Sequence, residues 1–183
     1  MKKFIDFDGV ILDTSPLLFK TWREQKREGL TEDDKIAYVK TQDWPYILHN
    51  SPVINDSLYY LRQLDKQTTS ILTVVHSLEN EGVAKVKFLR ENNIDLPIIL
   101  VPYLVDKANI VDAKNNILID DRVYNLNIWS ALGGHAIFFN KNNLDYDEWH
   151  QENVNYPKVR TLNNLEKIKI KNRGWLWIKK VLL

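Results

Sequence analysis

"KKFIDFDGVILDTSP", residues 2–16, is the stretch on which the reading of this chain turns. A short apolar run, Phe4-Ile5, leads into Asp6, Phe7 and Asp8 and breaks at Gly9. The run reads as a strand, and it sets two carboxylates two residues apart at that strand's end. Charge at the end of a buried strand is costly unless a cation or a reaction compensates it. Asp6 and Asp8 thus point to chemistry before they point to packing.

Working outward, short apolar runs recur at 71–72 with 74–75, at 98–101, at 117–119 and at 136–139. Each is rich in β-branched or aromatic residues and short enough to be a strand buried on both faces. Amphipathic segments lie between them. Ser15-Pro16 predicts an N-cap with Pro at the first helical position, and Gly29 a stop, so residues 16–28 are expected to be helical. Leu58, Leu61 and Leu64 share one helical stripe, and Val83, Val86 and Leu89 another after Ser77. A further stripe over 124–132 ends at Gly133-Gly134, a helix C-terminal signal. Strand–helix alternation of this kind predicts a Rossmann-like α/β fold: three layers, with a parallel sheet between helices. The interval before residue 71 is too long for one crossover helix. Residues 15–65 are read as a small helical cap inserted after the first strand, and 1–14 with 66–183 as the core domain.

Composition bounds the function. The 183 residues carry 25 Lys+Arg against 24 Asp+Glu, a formal charge of +1, so no global field draws nucleic acid or a membrane. Zero Cys excludes disulfides and thiolate metal sites and fits a reducing compartment. With no leader pattern at Met1 and no apolar run of bilayer length, a cytoplasmic protein is expected. The partner expected is a small molecule, with room for a homodimer.

In an open parallel sheet, ligands bind beyond the carboxyl ends of the strands. Asp6 and Asp8, Thr73, Lys107 and Asp120-Asp121 all fall at or near such ends. A phosphate monoester would use them all. A carboxylate attacks phosphorus and splits one hard step into two. Mg²⁺, held by Asp6 and by Asp120 or Asp121, would offset the repulsion between anions. Asp8 shares a face with Asp6 and suits proton transfer to the leaving oxygen. Thr73 and Lys107 supply a hydroxyl and an ammonium for the phosphoryl oxygens, with Ser77 and Lys114 as rivals.

"DFDGV", the strand through Thr73, Lys107 and "ILIDDR", in that order, resemble the four motifs of the haloacid dehalogenase-like (HAD) superfamily over roughly residues 3 to 139. Within it the chain is most similar to the 5′(3′)-deoxyribonucleotidase family, on "DFDGVILD", "VDKANIV" followed by "ILIDDRVYN", and "GGHAIFF". The resemblance implies a HAD-like fold, Asp6 as nucleophile, Asp8 as general acid/base, and a nucleoside monophosphate as substrate. It also implies Mg²⁺ held by Asp6, the Asp8 carbonyl and Asp120, with Asp121 and Arg122 behind them. Trp22, Tyr38, Trp44 and Tyr46 in the cap are either a stacking wall for a nucleobase or the cap's own core. Other readings are a HAD phosphatase for another small metabolite, a phospho-accepting receiver domain, and a silent binding protein. The receiver fits less well, because its phosphorylated Asp lies mid-chain and it lacks a cap.

The remaining signals are weaker. His49, His76, His135 and His150 lack metal-ligand spacing. The basic residues around Trp175 and Trp177 are read as a terminal strand and helix packing on the body, in preference to a nucleic-acid surface.

Overall fold

The structure, a computed structural model, describes residues 1–20, 22, 31–142, 144, 154–163, 165 and 168. β1 (Lys3–Ile5) is buried along its whole length and is covered by a strand on each side. β2 (Thr69–Val75) sets Ile71 opposite Ile5, and β4 (Ile117–Asp120) sets Ile119 opposite Ile5 from the other side. With β3 (Ile98–Pro102), β5 (His135–Phe139) and β6 (Lys158–Val159), the sheet runs in the order β3-β2-β1-β4-β5-β6, every pairing parallel. This is the Rossmann-like α/β architecture expected from the alternation.

Successive residues of each strand point to opposite faces, and two cores result. Ile5, Ile71, Ile119 and Ile137 belong to one, and Phe4, Leu72, Leu118 and Phe138 to the other. The first is covered by α3 (Trp44–Asn50), α4 (Ser57–Leu61) and α5 (Val83–Glu91). The second is covered by α7 (Val123–Ala131), which buries Leu126 and Trp129. α1 (Ser15–Leu18) and α2 (Glu32–Lys40) precede α3, and α6 (Lys107–Ile110) follows β3. The interval 15–65 thus holds four of the described helices, and all four bury side chains in the first core: Leu18, Val39, Trp44 with Ile47 and Leu48, and Leu58 with Leu61.

Three expectations change. α1 begins one residue early and ends at Leu18, with most of the remaining expected span outside the described residues; Thr14 holds the N-cap position without a side-chain cap bond, since its hydroxyl donates to Asp8. The stripe on α5 is Ala84, Lys85, Phe88 and Leu89, while Val83 is exposed. β6 was not foreseen, since a two-residue edge strand carries no period. The basic–aromatic segment at Trp175 and Trp177, with His150, lies outside the described residues. Among the described residues, no helix is long and apolar enough to cross a membrane.

Candidate active site

β1 ends at the level where β4 ends, and Asp6 N–H donates to the Ile119 carbonyl at 3.0 Å. Asp6 and Asp120 therefore emerge side by side at the carboxyl edge. The chain then turns at Gly9, with φ +76. A Cβ there would lie 2.1 Å from Asp121 Oδ2, so glycine serves both the left-handed backbone and the approach of Asp121. Oxygens of Asp6, Asp120 and Asp121 lie within 4.8 Å of one another.

Lys107, the first residue of α6, reaches into this cluster. Its Nζ is 2.7 Å from Asp6 Oδ1 and 2.6 Å from Asp120 Oδ2, and the residue is 3% exposed. Asp120 is oriented further by Arg122 N–H at Oδ1 and Asn125 Nδ2 at Oδ2, both at 2.9 Å. Arg122 contributes here through its backbone. Burial pushes the Asp6 carboxyl up to about 6; Lys107 opposes this, and Asp120 and Asp8 reinforce it. Burial also works against the Lys107 charge, but Asp120 and Asp6 outweigh it and hold its pKa above the ordinary lysine value. Three carboxylates face one ammonium, an excess of negative charge with oxygen-only donors. Such a set fits a hard divalent cation such as Mg²⁺. Asp121, read from sequence as a supporting residue, stands in this cluster as a ligand candidate beside Asp6 and Asp120.

Asp8 has a different environment. Its Oδ1 accepts from Thr14 Oγ1 at 2.7 Å and its Oδ2 from Lys85 Nζ at 2.5 Å. Lys85 is wholly buried. It also donates to Glu81 Oε1 at 2.7 Å, the Val74 carbonyl at 3.1 Å and Thr73 Oγ1 at 3.2 Å, and it lies 5.3 Å from the ring centres of Phe7 and Trp44. Burial raises the Glu81 carboxyl, but Lys85 and then His76 override it and bring it down to about 2. Sequence reasoning missed this lysine. Its signal was a Glu81/Lys85 pair in phase with Ala84, Phe88 and Leu89, which an apolar stripe drawn through Val83, Val86 and Leu89 passes over.

The other expected residues divide. Lys107 lies between the acids, whereas Lys114 is exposed on a loop where its N–H binds Asp112. Thr73, two residues beyond the one that pairs with the end of β1, is fully buried, and its hydroxyl lies 3.2 Å from Lys85 Nζ, the same ammonium that binds Asp8. Ser77 sits beyond the end of β2, half-buried, accepting from Asn80 N–H at 3.2 Å. Of the cap aromatics, Trp44 is 1% exposed, and its Nε1 donates to the Val39 carbonyl. It is core, and the stacking role falls away because neither face is free. Tyr38 packs on Trp22 with ring centroids 5.2 Å apart and donates its hydroxyl to the Leu18 carbonyl. Tyr46 is exposed.

No protein-family model matches the chain, and no curated protein does. Solved structures do resemble it. The putative HAD-hydrolase YfnB from Bacillus subtilis, bound to magnesium, is 16% identical, with a TM-score of 0.55 over 91% of this chain and 96% of that one. A family IA, variant 3 HAD hydrolase from Entamoeba histolytica is 15% identical, with a TM-score of 0.56 over 92% and 95%. A phosphonoacetaldehyde hydrolase-like protein from Oleispira antarctica is 11% identical, with a TM-score of 0.53 over 91% and 90%. The chain has the HAD-like fold.

Proposed function

We propose that this chain is a Mg²⁺-dependent phosphatase that hydrolyses a nucleoside monophosphate through an aspartyl-phosphate on Asp6. The observation that carries the reading is the division of labour between two carboxylates two residues apart. Asp6 shares Lys107 with Asp120 inside the acid cluster, and Asp8 is held apart from it by Thr14 and Lys85. Neighbouring acids in unlike surroundings take unlike roles.

In this mechanism an Asp6 carboxylate oxygen attacks phosphorus, and the ester bond breaks. Asp8 gives its proton to the departing oxygen, so the alcohol leaves neutral. Asp8 then takes a proton from water, whose oxygen attacks the same phosphorus and returns Asp6 as a carboxylate with inorganic phosphate. Lys107 keeps Asp6 and Asp120 in register throughout. Mg²⁺ would be held by Asp6, Asp120, Asp121 and the Asp8 carbonyl, and would supply charge neutralisation between phosphate and nucleophile. A halide leaving group needs no proton, so the two hydrogen bonds that orient Asp8 favour a phosphate ester over a haloacid. The magnesium in the Bacillus subtilis neighbour supports the cation. The nucleoside rests on the motifs shared with the 5′(3′)-deoxyribonucleotidases.

The test is a phosphate-release screen over nucleoside monophosphates and sugar phosphates with Mg²⁺. Release from a mononucleotide, abolished by EDTA and by Asp6→Asn, is the expected result. Preference for a sugar phosphate would transfer the reading to another small metabolite, and release from nothing in the panel would refute it.

A further inference from the structure

The Lys85 ammonium has three N–H bonds and four acceptors around it: Asp8 Oδ2 at 2.5 Å, Glu81 Oε1 at 2.7 Å, the Val74 carbonyl at 3.1 Å and Thr73 Oγ1 at 3.2 Å. Every N–H is engaged, so the ammonium has one seat, and half-buried Asp8 takes its aim from it. Glu81 holds that seat from behind. Its second oxygen, Oε2, accepts from His76 N–H at 2.7 Å and lies 3.1 Å from His76 Nδ1. Well-packed apolar side chains would stabilise such a site as well as a buried ion pair does, so stability alone does not call for one. A carboxylate held at both oxygens adds direction.

Glu81 belongs to a single π-helical turn, Leu78–Gly82, just beyond β2, and α2 is tied to it from both of its ends. At the start of α2, Glu32 Oε1 accepts from the Tyr103 hydroxyl at 3.0 Å. The Tyr103 ring stacks on His76, with centroids 4.4 Å apart and 24° between the planes, and His76 holds Glu81. At the other end, Asn80 Nδ2 donates to the carbonyls of Lys40 at 2.9 Å and Gln42 at 3.0 Å. Asn80 directly precedes Glu81, and its own N–H is capped by Ser77 Oγ at 3.2 Å. Val39 is the one side chain of α2 that is fully buried, so hydrogen bonds carry much of the attachment of this helix. From Glu32 and Lys40 to Asp8, a continuous polar path runs through Glu81.

We propose that Glu81 is a positioning residue for the proton donor, an assignment that rests on the phosphatase reading above. Seated by α2, Glu81 fixes Lys85, and Lys85 fixes the Asp8 carboxylate against the departing oxygen. Thr14 holds the other Asp8 oxygen from the start of α1, so the carboxylate is pinned from two sides. Misplacing a reacting group by about 1 Å can slow a reaction about a hundredfold. The aim of Asp8 matters most where the leaving oxygen is strongly basic, as in an alkyl ester. It matters little for an aryl ester whose phenolate departs without a proton. Loss of Glu81 should therefore be felt according to the leaving group.

Glu81→Gln and Asn80→Ala test this. The amide of Glu81→Gln has one acceptor oxygen for two donors, Lys85 and His76 N–H, so one of the two holds is lost. Asn80→Ala frees the turn from the last carbonyls of α2 and leaves the core intact. Steady-state kinetics with Mg²⁺ compare 4-nitrophenyl phosphate with two alkyl esters, a nucleoside monophosphate and glycerol phosphate. Enzyme concentration is corrected for the folded fraction from urea unfolding. The quantity read is kcat/KM, which covers phosphoryl transfer to Asp6 and excludes the later hydrolysis, where Asp8 serves as base whatever the ester. On the faster alkyl ester it should fall about tenfold in Glu81→Gln and at least about threefold in Asn80→Ala, with less than about twofold lost on the aryl ester. A loss shared equally by aryl and alkyl esters in either variant overturns the proposal and leaves the phosphatase reading standing. Full alkyl-ester activity in either variant overturns it too. A wild type that turns over the aryl ester alone overturns it together with the proton-transfer role of Asp8. One that releases no phosphate from any ester overturns the phosphatase reading as well.

Discussion

Lys85→Met tests the buried half of the site. The substitution keeps the length of the side chain against Phe7 and Trp44 but removes the ammonium that Glu81 and Asp8 share. Glu81 is 1% exposed, and its carboxyl is held at about 2 against an ordinary 4.5, with Lys85 the largest favourable cause. At 1.36 kcal/mol per tenfold change in proton affinity, that difference is worth about 3 kcal/mol. Methionine would strand a buried carboxylate with only His76 beside it, so unfolding free energy should fall by about 3–5 kcal/mol. Lys85→Met with Glu81→Gln should recover much of the loss, because Asp8 is partly open to water and no fully buried charge remains. The assay is urea unfolding of the four proteins of the double-mutant cycle at pH 7. The folded Glu81 value lies below the unfolded one, so its stabilisation is complete above pH 4.5 and disappears as the pH falls toward 2. The gap between wild type and Lys85→Met should close over that window. A single variant that loses less than about 1 kcal/mol at pH 7, or a double variant no more stable than the single, would refute the argument.

Three further outcomes follow from the geometry. Asp6→Asn should abolish phosphate release yet raise the Tm of the metal-free protein at pH 7. The folded Asp6 value, about 6, exceeds its ordinary 3.8, so Asp6 favours folding below pH 3.8 and costs up to about 3 kcal/mol as the pH passes 6. Mg²⁺ should correspondingly raise the wild-type Tm more at pH 7 than at pH 5, and a lower Tm for Asp6→Asn at pH 7 would contradict this. Thr14→Val removes one of the two hydrogen bonds that aim Asp8, so kcat should fall about tenfold with KM nearly unchanged; a change confined to KM would place Thr14 in binding instead. Trp44→Ala empties a core position and should cost about 3–5 kcal/mol in urea unfolding, with equal losses on nucleotide and small aryl phosphate; a selective loss on the nucleotide would restore Trp44 to the substrate wall.

The parallel sheet and the acid edge were legible in the order of the residues. Both are local: apolar runs of strand length mark β1 to β5, and chain order in an open α/β sheet brings strand ends together whatever the side chains between. Asp6 could be named on that basis, with Asp120 or Asp121 and Lys107 or Lys114 as its candidate partners. Which way the intervening side chains face depends on contacts between distant parts of the chain. Lys85 looks like an exposed helical lysine until it meets Asp8, 77 residues away, and Glu81 one turn before it. The Thr73 hydroxyl shares that ammonium, a contact that the periodicity of β2 does not record. Trp44 looks like a stacking surface until α3 is laid against α5. Periodicity records that a residue can be buried. What makes burying a charge affordable is a partner of opposite sign, and that partner comes from a distant part of the chain.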